Sequence, residues 1–107
     1  MLENFRRTKS KFKLVRFSKK EINKIMEVYS KKIAIGEWKD YSILFSQNYA
    51  TFCIHKSFSR SPEFKIFKYN ENSKKYTLSK KSQIVASSQS LNKLLQLLKK
   101  PSLRLIK

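Results

Sequence analysis

The sequence predicts an α+β domain, an antiparallel β-meander of four to five strands with two helices packed on one face. Apolar residues recur at helical spacing in two separate stretches, residues 22–33 and 91–98. Between these stretches, from residue 41 to residue 69, apolar and polar residues alternate with a period of two. Two helices that enclose a set of strands are typical of this fold class.

The N-terminal residues, 1–11, are predicted to be a basic flexible arm, and residues 12–107 a single α+β domain. The domain begins with "FKLVRF", residues 12–17, which alternates well enough to predict a strand. Its two faces would carry Phe12 and Leu14 on one side and Val15 and Phe17 on the other.

A first helix is predicted from Lys19 to about Ile35. Ser18 and Glu21 have the spacing of a capping box, in which each side chain accepts a hydrogen bond from the other residue's backbone amide. Gly36 follows at the position where a glycine closes the last turn of a helix. The apolar stripe of this helix is predicted to consist of Ile22, Ile25, Met26, Tyr29 and Ile33.

The alternating stretch divides into strands at its polar breaks. The first strand starts at Tyr41, and a turn at residues 46–48 leads to a second strand around Phe52. Pro62 interrupts the chain before "FKIFKY", a third strand. A polar turn at residues 70–75 precedes "YTLS", a fourth strand, and "QIVAS" is either its continuation or a fifth strand.

The second helix begins after Ser88 or Ser90 and ends before Pro101. Lys99 and Lys100 suit the negative end of its dipole. "LRLI", at residues 103–106, is predicted to pair as an edge strand. The apolar stripe of the helix is Leu91, Leu94, Leu95 and Leu98.

The net charge of +18 is the strongest global feature, with 25 Lys and Arg against seven Asp and Glu. Such an excess attracts polyanions, of which nucleic acid is the commonest. AT-rich coding bias is the alternative explanation, because 20 of the 25 basic residues are lysine. Codon bias does not explain the scarcity of acidic residues, because Asp and Glu codons also tolerate AT richness. The charge therefore favours a polyanionic partner.

We therefore predict that the chain binds nucleic acid, either RNA or nonspecific DNA, through electrostatic contacts with phosphates. No helix-turn-helix is evident, since the whole meander separates the two helices. Lys65, Phe67 and Tyr69 would lie beside His55 on the outer sheet face and stack bases if that face is open; otherwise Phe67 and Tyr69 belong to the core. The predicted phosphate-binding residues are Arg6, Arg7, Lys9, Lys11, Lys13, Arg16, Lys74, Lys75, Lys80 and Lys81.

A second candidate site is the corner in "AIGEWKDYSILF", which contains the only glycine and the only tryptophan of the chain. In one interpretation Trp38 is an aromatic plug in the connection between the first helix and the first strand of the meander. Asp40 then accepts hydrogen bonds from backbone amides of the turn. In the other, Trp38, Lys39, Asp40 and Tyr41 form a recognition surface on a loop. Both interpretations stay open at this stage.

The sequence does not predict an enzyme, and it suggests no cofactor, no metal and no small-molecule substrate. Cys53 and His55 share one strand face, but a catalytic pair needs a third group and an oxyanion hole, and a zinc site needs more ligands. A single glycine rules out a glycine-rich phosphate loop. The few carboxylates are scattered, which disfavours a paired-carboxylate site.

Other functions compete with nucleic-acid binding. The open sheet face or the Trp38 corner could dock a protein partner, as in an interaction module or assembly factor. The basic arm, with Phe5 and Phe12, could instead touch anionic lipid. No transmembrane segment is predicted, and one cysteine without a signal peptide favours a cytoplasmic location.

The segment from residue 17 to residue 68 resembles a family of uncharacterised alphaproteobacterial proteins, the domain of unknown function number 2794. The similarity lies in the capped helix with Tyr29, the corner A-x-G-E-W-[KR]-D-Y and a strand of the type A-x-F-x-[IV]. The resemblance implies a bacterial cytoplasmic protein and no particular activity. The matching positions are Ser18, Glu21, Tyr29, Ala34, Gly36, Glu37, Trp38, Lys39, Asp40, Tyr41, Ala50, Phe52 and Ile54.

Overall fold

The structure is a computed structural model that describes residues 14–57, 61–69 and 75–100. These residues form one five-stranded sheet and two helices, which confirms the predicted α+β class. The elements follow the chain in the order α1 (Lys19–Ala34), β1 (Asp40–Phe45), β2 (Tyr49–His55), β3 (Phe64–Tyr69), β4 (Tyr76–Lys80), β5 (Gln83–Ser88) and α2 (Leu91–Lys99).

The sheet is a simple meander in which each strand pairs antiparallel with the next. Phe52 at the centre of β2 lies opposite Ile43 on one side and Ile66 on the other. "QIVAS" therefore belongs to a separate fifth strand rather than to a continuation of the fourth. The ladder between β4 and β5 is shifted between Leu78 and Ser79, where β5 accommodates one additional residue.

The hydrophobic core lies on one face of the sheet, beneath both helices. Alternate residues of β2, such as Phe52 and Ile54, are fully buried there, as is Ile66 of β3. All four leucines of the predicted α2 stripe join the same cluster, so both helices cover one face as predicted. The buried cluster comprises Val15, Phe17, Ile25, Val28, Trp38, Ala50, Phe52, Ile54, Phe64, Ile66, Leu78, Leu91, Leu94, Leu95 and Leu98.

The segment before α1 corrects one prediction. A strand was expected over residues 12–17, but residues 14–18 have no regular secondary structure, and residues 12 and 13 lie outside the described part. The Val15 amide donates to the carbonyl of Ser46 at 2.8 Å. Val15 and Phe17 alternate into the core, so burial on one side produced the pattern that resembles a strand.

The N-terminus of α1 is as predicted, whereas its buried face differs. Ser18 and Glu21 form the reciprocal capping box. Val28 and Lys32 are buried in the stripe, while Ile33 is exposed. The Lys32 ammonium donates to Glu37 Oε1 at 2.9 Å and to the carbonyl of Lys100 at 3.1 Å. A lysine tolerates such burial because its charge and hydrogen bonds are matched.

Gly36 ends α1 in the left-handed region, with φ +78°. Its amide donates to the carbonyl of Ile33 at 3.0 Å. A Cβ at this position would meet no atom within 4 Å, so substitution would cost only backbone strain.

We expect Gly36→Ala to lower the free energy of unfolding by about 1 kcal/mol, since an L-residue in this conformation costs about 1–2 kcal/mol. Urea denaturation measures the change. Gly36→Asn is the control, because asparagine tolerates the left-handed region better and should lose less. Equal losses in both variants would contradict a backbone origin.

A buried polar network joins the start of α1 to the covered face of the sheet. The Lys68 ammonium donates to Glu21 Oε1 at 2.9 Å and to the carbonyl of Arg16 at 2.8 Å. The Tyr76 hydroxyl donates to the other oxygen of Glu21. Glu21 thus serves both the helix cap and the attachment of the helix to β3 and β4.

The pKa values within this network diverge. Burial alone would raise the pKa of the Glu21 carboxyl, but hydrogen bonds from Tyr76, from the Ser18 amide and from Lys68 outweigh burial and leave it lowered. Burial, together with the hydrogen bond to Glu21, raises the pKa of Tyr76 to about 12. At neutral pH Glu21 is therefore a carboxylate and Tyr76 a neutral phenol.

The second helix starts after Ser90, whose side chain makes no capping hydrogen bond. The Ser90 amide instead donates to Ser88 Oγ at 3.0 Å. The helix ends at Lys99, before Pro101 as predicted. The basic arm at 1–11, most of the polar turn at 70–75 and the edge strand at 103–106 lie outside the described residues. Neither described helix has the length and apolar character needed to cross a membrane.

Candidate nucleic-acid interface

The face of the sheet that points away from the helices has large side chains on its central strand. Lys65, Phe67 and Tyr69 of β3 project there, since Phe64, Ile66 and Lys68 face the core side. Their cross-strand neighbours are small, and the described helices pack against the opposite face. These small neighbours are Thr51 and Cys53 on β2 and Thr77 and Ser79 on β4.

Three aromatic rings meet on this face, which we call the uncovered face because neither described helix packs against it. The ring centroids of Tyr49 and Phe67 lie 5.7 Å apart and those of Phe67 and Tyr69 lie 6.2 Å apart. Tyr49 also packs edge-on against Tyr69, directly opposite in the ladder, at 6.4 Å. Tyr49 is 41% exposed and the other two rings are half-buried. We call Tyr49, Phe67 and Tyr69 the ring cluster.

The ring cluster answers one question that the sequence left open. Phe67 and Tyr69 lie on the uncovered face rather than in the core. Tyr49 was not among the residues predicted for this face. The same period-two pattern that places Thr51 and Cys53 on this face, extended back by two residues, would have identified it.

Lys65 continues the row of large side chains beyond the rings and lies opposite Cys53, two residues from His55. It lines an open groove of about 510 Å³ with Lys81, Pro62 and Glu63. The Glu63 carboxylate lies 4.0 Å from the Lys81 ammonium. The groove therefore brings two cations to the end of the ring row, one of them with an acidic neighbour.

Two predicted phosphate-binding lysines flank the row at its ends. The carbonyl of Lys75 accepts from the Tyr69 amide at 3.3 Å, and the amide of Lys81 donates to the carbonyl of Glu63 at 3.0 Å. Both lysines are exposed. The strand between them spans about 20 Å, at roughly 3.3 Å per residue. A polyanionic strand that runs along the ring cluster would meet Lys75 at one end and Lys81 at the other.

The remaining predicted cations are placed differently. Arg16 packs over the Phe45 ring at 5.6 Å, at the β1 edge, and the Lys80 ammonium lies 5.8 Å from the Phe64 ring on the covered side. Neither joins the row on the uncovered face. The others lie outside the described residues, namely Arg6, Arg7, Lys9, Lys11, Lys13 and Lys74.

Internal ion pairs use much of the available negative charge. The described residues include five carboxylates, and three of these lie within 4.0 Å of a lysine ammonium. Glu21 and Glu37 are paired with the buried Lys68 and Lys32. Few acids are therefore left to offset the surface lysines, which keeps the field of the domain positive.

Trp38, at the corner between α1 and β1, is part of the core. Trp38 is 3% exposed and packs at 6.0 Å from the Tyr29 ring and 6.1 Å from the Phe64 ring. Tyr41 stacks on Phe52 with ring centroids 5.2 Å apart. Trp38 thus occupies the place of the aromatic plug, and its buried indole has no surface to offer a partner.

The exposed part of the corner consists of Lys39, Asp40 and Tyr41. Asp40 Oδ1 accepts from the Tyr41 amide at 2.8 Å, which agrees with the expectation that Asp40 would accept from a backbone amide. The pKa of Tyr29 is raised, mainly because the hydroxyl is partly buried and also because of electrostatic interactions with Asp40 and Tyr41. A recognition role for these three residues stays a prediction.

Cys53 and His55 lie on the uncovered face as the alternation implied. Cys53 is 3% exposed and reduced, and His55 is half-buried. Within the described ranges, no three His, Cys, Asp or Glu side chains come together in a group that could hold a metal ion.

Comparison with known proteins identifies the family. The family profile described as "Protein of unknown function (DUF2794)" matches residues 15–95. The chain belongs to this family. The match extends the resemblance seen in the sequence to all five strands and the start of α2, so the ring cluster lies within the family domain. No curated protein and no solved structure matches the chain.

Proposed function

We propose that this DUF2794 domain binds single-stranded nucleic acid, RNA or DNA, on the uncovered face of its sheet. The observation that carries the proposal is the ring cluster of Tyr49, Phe67 and Tyr69, with Lys65 next in the same row. Aromatic side chains on a sheet surface stack unpaired bases, and adjacent cations hold the phosphates.

The arrangement favours an unpaired strand over a duplex. A base offers its flat face to a protein ring only when it is not stacked inside a helix. Stacking on rings is tolerant of sequence because every base has a π-face. The expected activity is therefore binding without catalysis and with little sequence preference.

Electrostatic attraction supplies the second part of the binding energy. Lys75 and Lys81 stand at the two ends of the row, and the net charge of +18 attracts the strand from a distance. Each phosphate that is neutralised releases counterions, which makes the affinity depend on salt.

Fluorescence anisotropy tests the proposal, with labelled oligouridine and a duplex DNA of matched length titrated with the full chain across a salt series. We expect tighter binding to the single strand and a linear fall of log K with log salt concentration. Equal affinity for both probes would contradict the use of rings, and no binding at physiological salt would overturn the proposal.

Two lysine pairs provide matched variants. Substituting Lys65 and Lys81 with glutamine should reduce the slope by about 1.4, since each phosphate contact on a single strand contributes about 0.7. Substituting the helix residues Lys24 and Lys93 with glutamine removes the same charge from the other side of the domain. A similar change in both double variants would mean that net charge, and not this face, determines binding.

Protein interaction is the second candidate function, and one observation favours it. Leu44 and Ile84, on the two edge strands, are 59% and 71% exposed. The unpaired backbone of an edge strand, when its side chains are apolar, offers a place for another chain to pair. Under this alternative, substitutions in the ring cluster would leave oligouridine binding unchanged.

A further inference from the structure

The groove at the start of β3 has walls that the sheet holds in place. Glu63 immediately precedes β3, and Lys81 and Ser82 form the turn between β4 and β5. The two walls are tied together, because the Lys81 amide donates to the carbonyl of Glu63 at 3.0 Å. The Glu63 amide in turn donates to the carbonyl of Ile54 on β2 at 2.8 Å. The volume of about 510 Å³ is of the size that small-molecule ligands occupy.

Glu63, on one wall of this groove, is paired differently from the carboxylates in the core. Its side chain is 14% exposed, and its Oε1 lies 4.0 Å from the ammonium of Lys81, whose side chain is 73% exposed. In the ion pairs that Glu21 and Glu37 make with buried lysines, the corresponding distance is 2.9 Å. A long ion pair with one exposed partner contributes little to stability. The stability of the fold therefore gives no strong reason for a carboxylate at residue 63.

Glu63 and Lys81 together present an ordered set of hydrogen-bonding groups. The Lys81 ammonium is a donor, and the two oxygens of the Glu63 carboxylate are acceptors. Since Oε1 is the oxygen beside the ammonium, the order across the groove is donor, acceptor, acceptor. The pairing edge of cytosine has the same order, with its amino group, its N3 and its O2. Guanine, which pairs with that edge, offers O6, N1–H and the N2 amino group in the complementary order.

The other bases match these three groups less well. Adenine has a ring-nitrogen acceptor in place of N1–H, and uracil would turn a second carbonyl toward a carboxylate oxygen. Cytosine offers one amino group beside two acceptors. Lysine is also a common donor to O6 of guanine. A cationic ligand is disfavoured, because Lys65 and Lys81 both line the groove.

The groove lies one step beyond the ring cluster along β3. Lys65 is two residues from Phe67 on the same strand face and lines the groove. Alternate residues of a strand stand about 7 Å apart. A strand with one base stacked on Phe67 would therefore bring its next nucleotide to the groove, with the phosphate between them near the Lys65 ammonium.

We propose that this groove binds one unpaired guanine base of the bound strand. The Glu63 carboxylate accepts from N1–H and from the N2 amino group, and the Lys81 ammonium donates to O6. The inference rests on the single-strand function proposed above and adds one position at which the base is read. Stacking on the rings stays tolerant of sequence, so the preference for guanine originates in the groove.

Fluorescence anisotropy of the full chain with three labelled oligouridines tests the inference, each probe carrying one central guanosine, adenosine or inosine. We expect the guanosine probe to bind about fivefold tighter than the adenosine probe, the lower end of the discrimination by a bidentate base contact, because the groove is open to water. The adenosine probe controls for differences in stacking strength between purines and pyrimidines. Inosine lacks the N2 amino group and should lose most of the gain.

Glu63→Gln and Glu27→Gln form a matched pair, since each removes one carboxylate charge and Glu27 lines a groove between the two helices. Glu63→Gln should make the affinities for the guanosine and adenosine probes equal, because its amide nitrogen is a donor that faces another donor. Glu27→Gln should keep their ratio.

Three results would overturn the inference. Equal affinities for the guanosine and adenosine probes in the unsubstituted chain overturn it and leave single-strand binding intact. A guanosine preference that survives Glu63→Gln shows that the carboxylate does not read the base. If none of the probes binds at physiological salt, the inference and the proposed function both fail.

Discussion

Replacing Phe67 or Tyr69 with leucine is expected to lower the affinity for oligouridine by about 5- to 150-fold. Loss of one base stack costs about 1–3 kcal/mol, which corresponds to that range. Leucine keeps an apolar side chain of similar reach on the strand but offers no π-face. The double variant should lose close to the product of both factors, unless the two rings share one base.

Anisotropy titration measures this loss, and Ile84→Ala is the control. Ile84 lies opposite Ser79 on the same face and is 71% exposed, yet it is no part of the ring cluster. Its substitution should change the affinity by less than about twofold, since surface changes away from a site are usually near neutral. If the leucine variants and Ile84→Ala behave alike while urea curves show all of them folded, the rings do not bind bases.

The largest effect on stability is expected at Lys68. Lys68→Met should lower the free energy of unfolding by about 3 kcal/mol, because removing one partner of a buried ion pair costs about 3–5 kcal/mol and Glu21 keeps its other hydrogen bonds. Lys65→Met is the matched control, since it lies on the same strand but faces outward. Urea denaturation of both variants measures the difference.

Acid provides a second readout of the same network. The lowered pKa of Glu21 means that its stabilising contribution is present above the carboxyl pKa of the unfolded chain. That contribution is lost as the pH falls through the folded value. Lys68→Met should therefore flatten the acid side of the stability profile, while Lys65→Met should keep its shape. Equal stabilities and equal profiles in both variants would contradict the network.

Local signals in the sequence predicted the elements well. The capping box of Ser18 and Glu21 and the helix-ending Gly36 act within a few residues, so the printed sequence contains the information that fixes them. The period-two alternation predicted the strands for the same reason. Each of these features is decided by neighbours along the chain.

Contacts between distant residues could not be predicted in this way. Lys32 is buried because Glu37 and the carbonyl of Lys100 meet it, and Lys100 is far away in sequence. Residues 14–17 resemble a strand because their side chains alternate into the core, although their backbone joins no described strand. An alternating pattern of apolar residues alone does not distinguish a strand from an irregular segment whose side chains alternate into the core.

The candidate site shows the same division. Lys65, Phe67 and Tyr69 were assigned to one strand face from sequence, but only the packing of both helices on the other side shows that neither described helix covers this face. Tyr49 joins them through cross-strand pairing with Tyr69. The sequence left two interpretations of Trp38 open, and the packing of Tyr29 and Phe64 around its indole supports the buried one.

A titration of the full chain with oligouridine, followed by NMR of its aromatic side chains, tests the central proposal most directly. We expect the ring resonances of Tyr49, Phe67 and Tyr69 to move upfield as bases stack on them, and those of Tyr29 and Trp38 to stay unchanged. Saturable binding that leaves these three rings unchanged, with shifts confined to lysines of the helices, would contradict it.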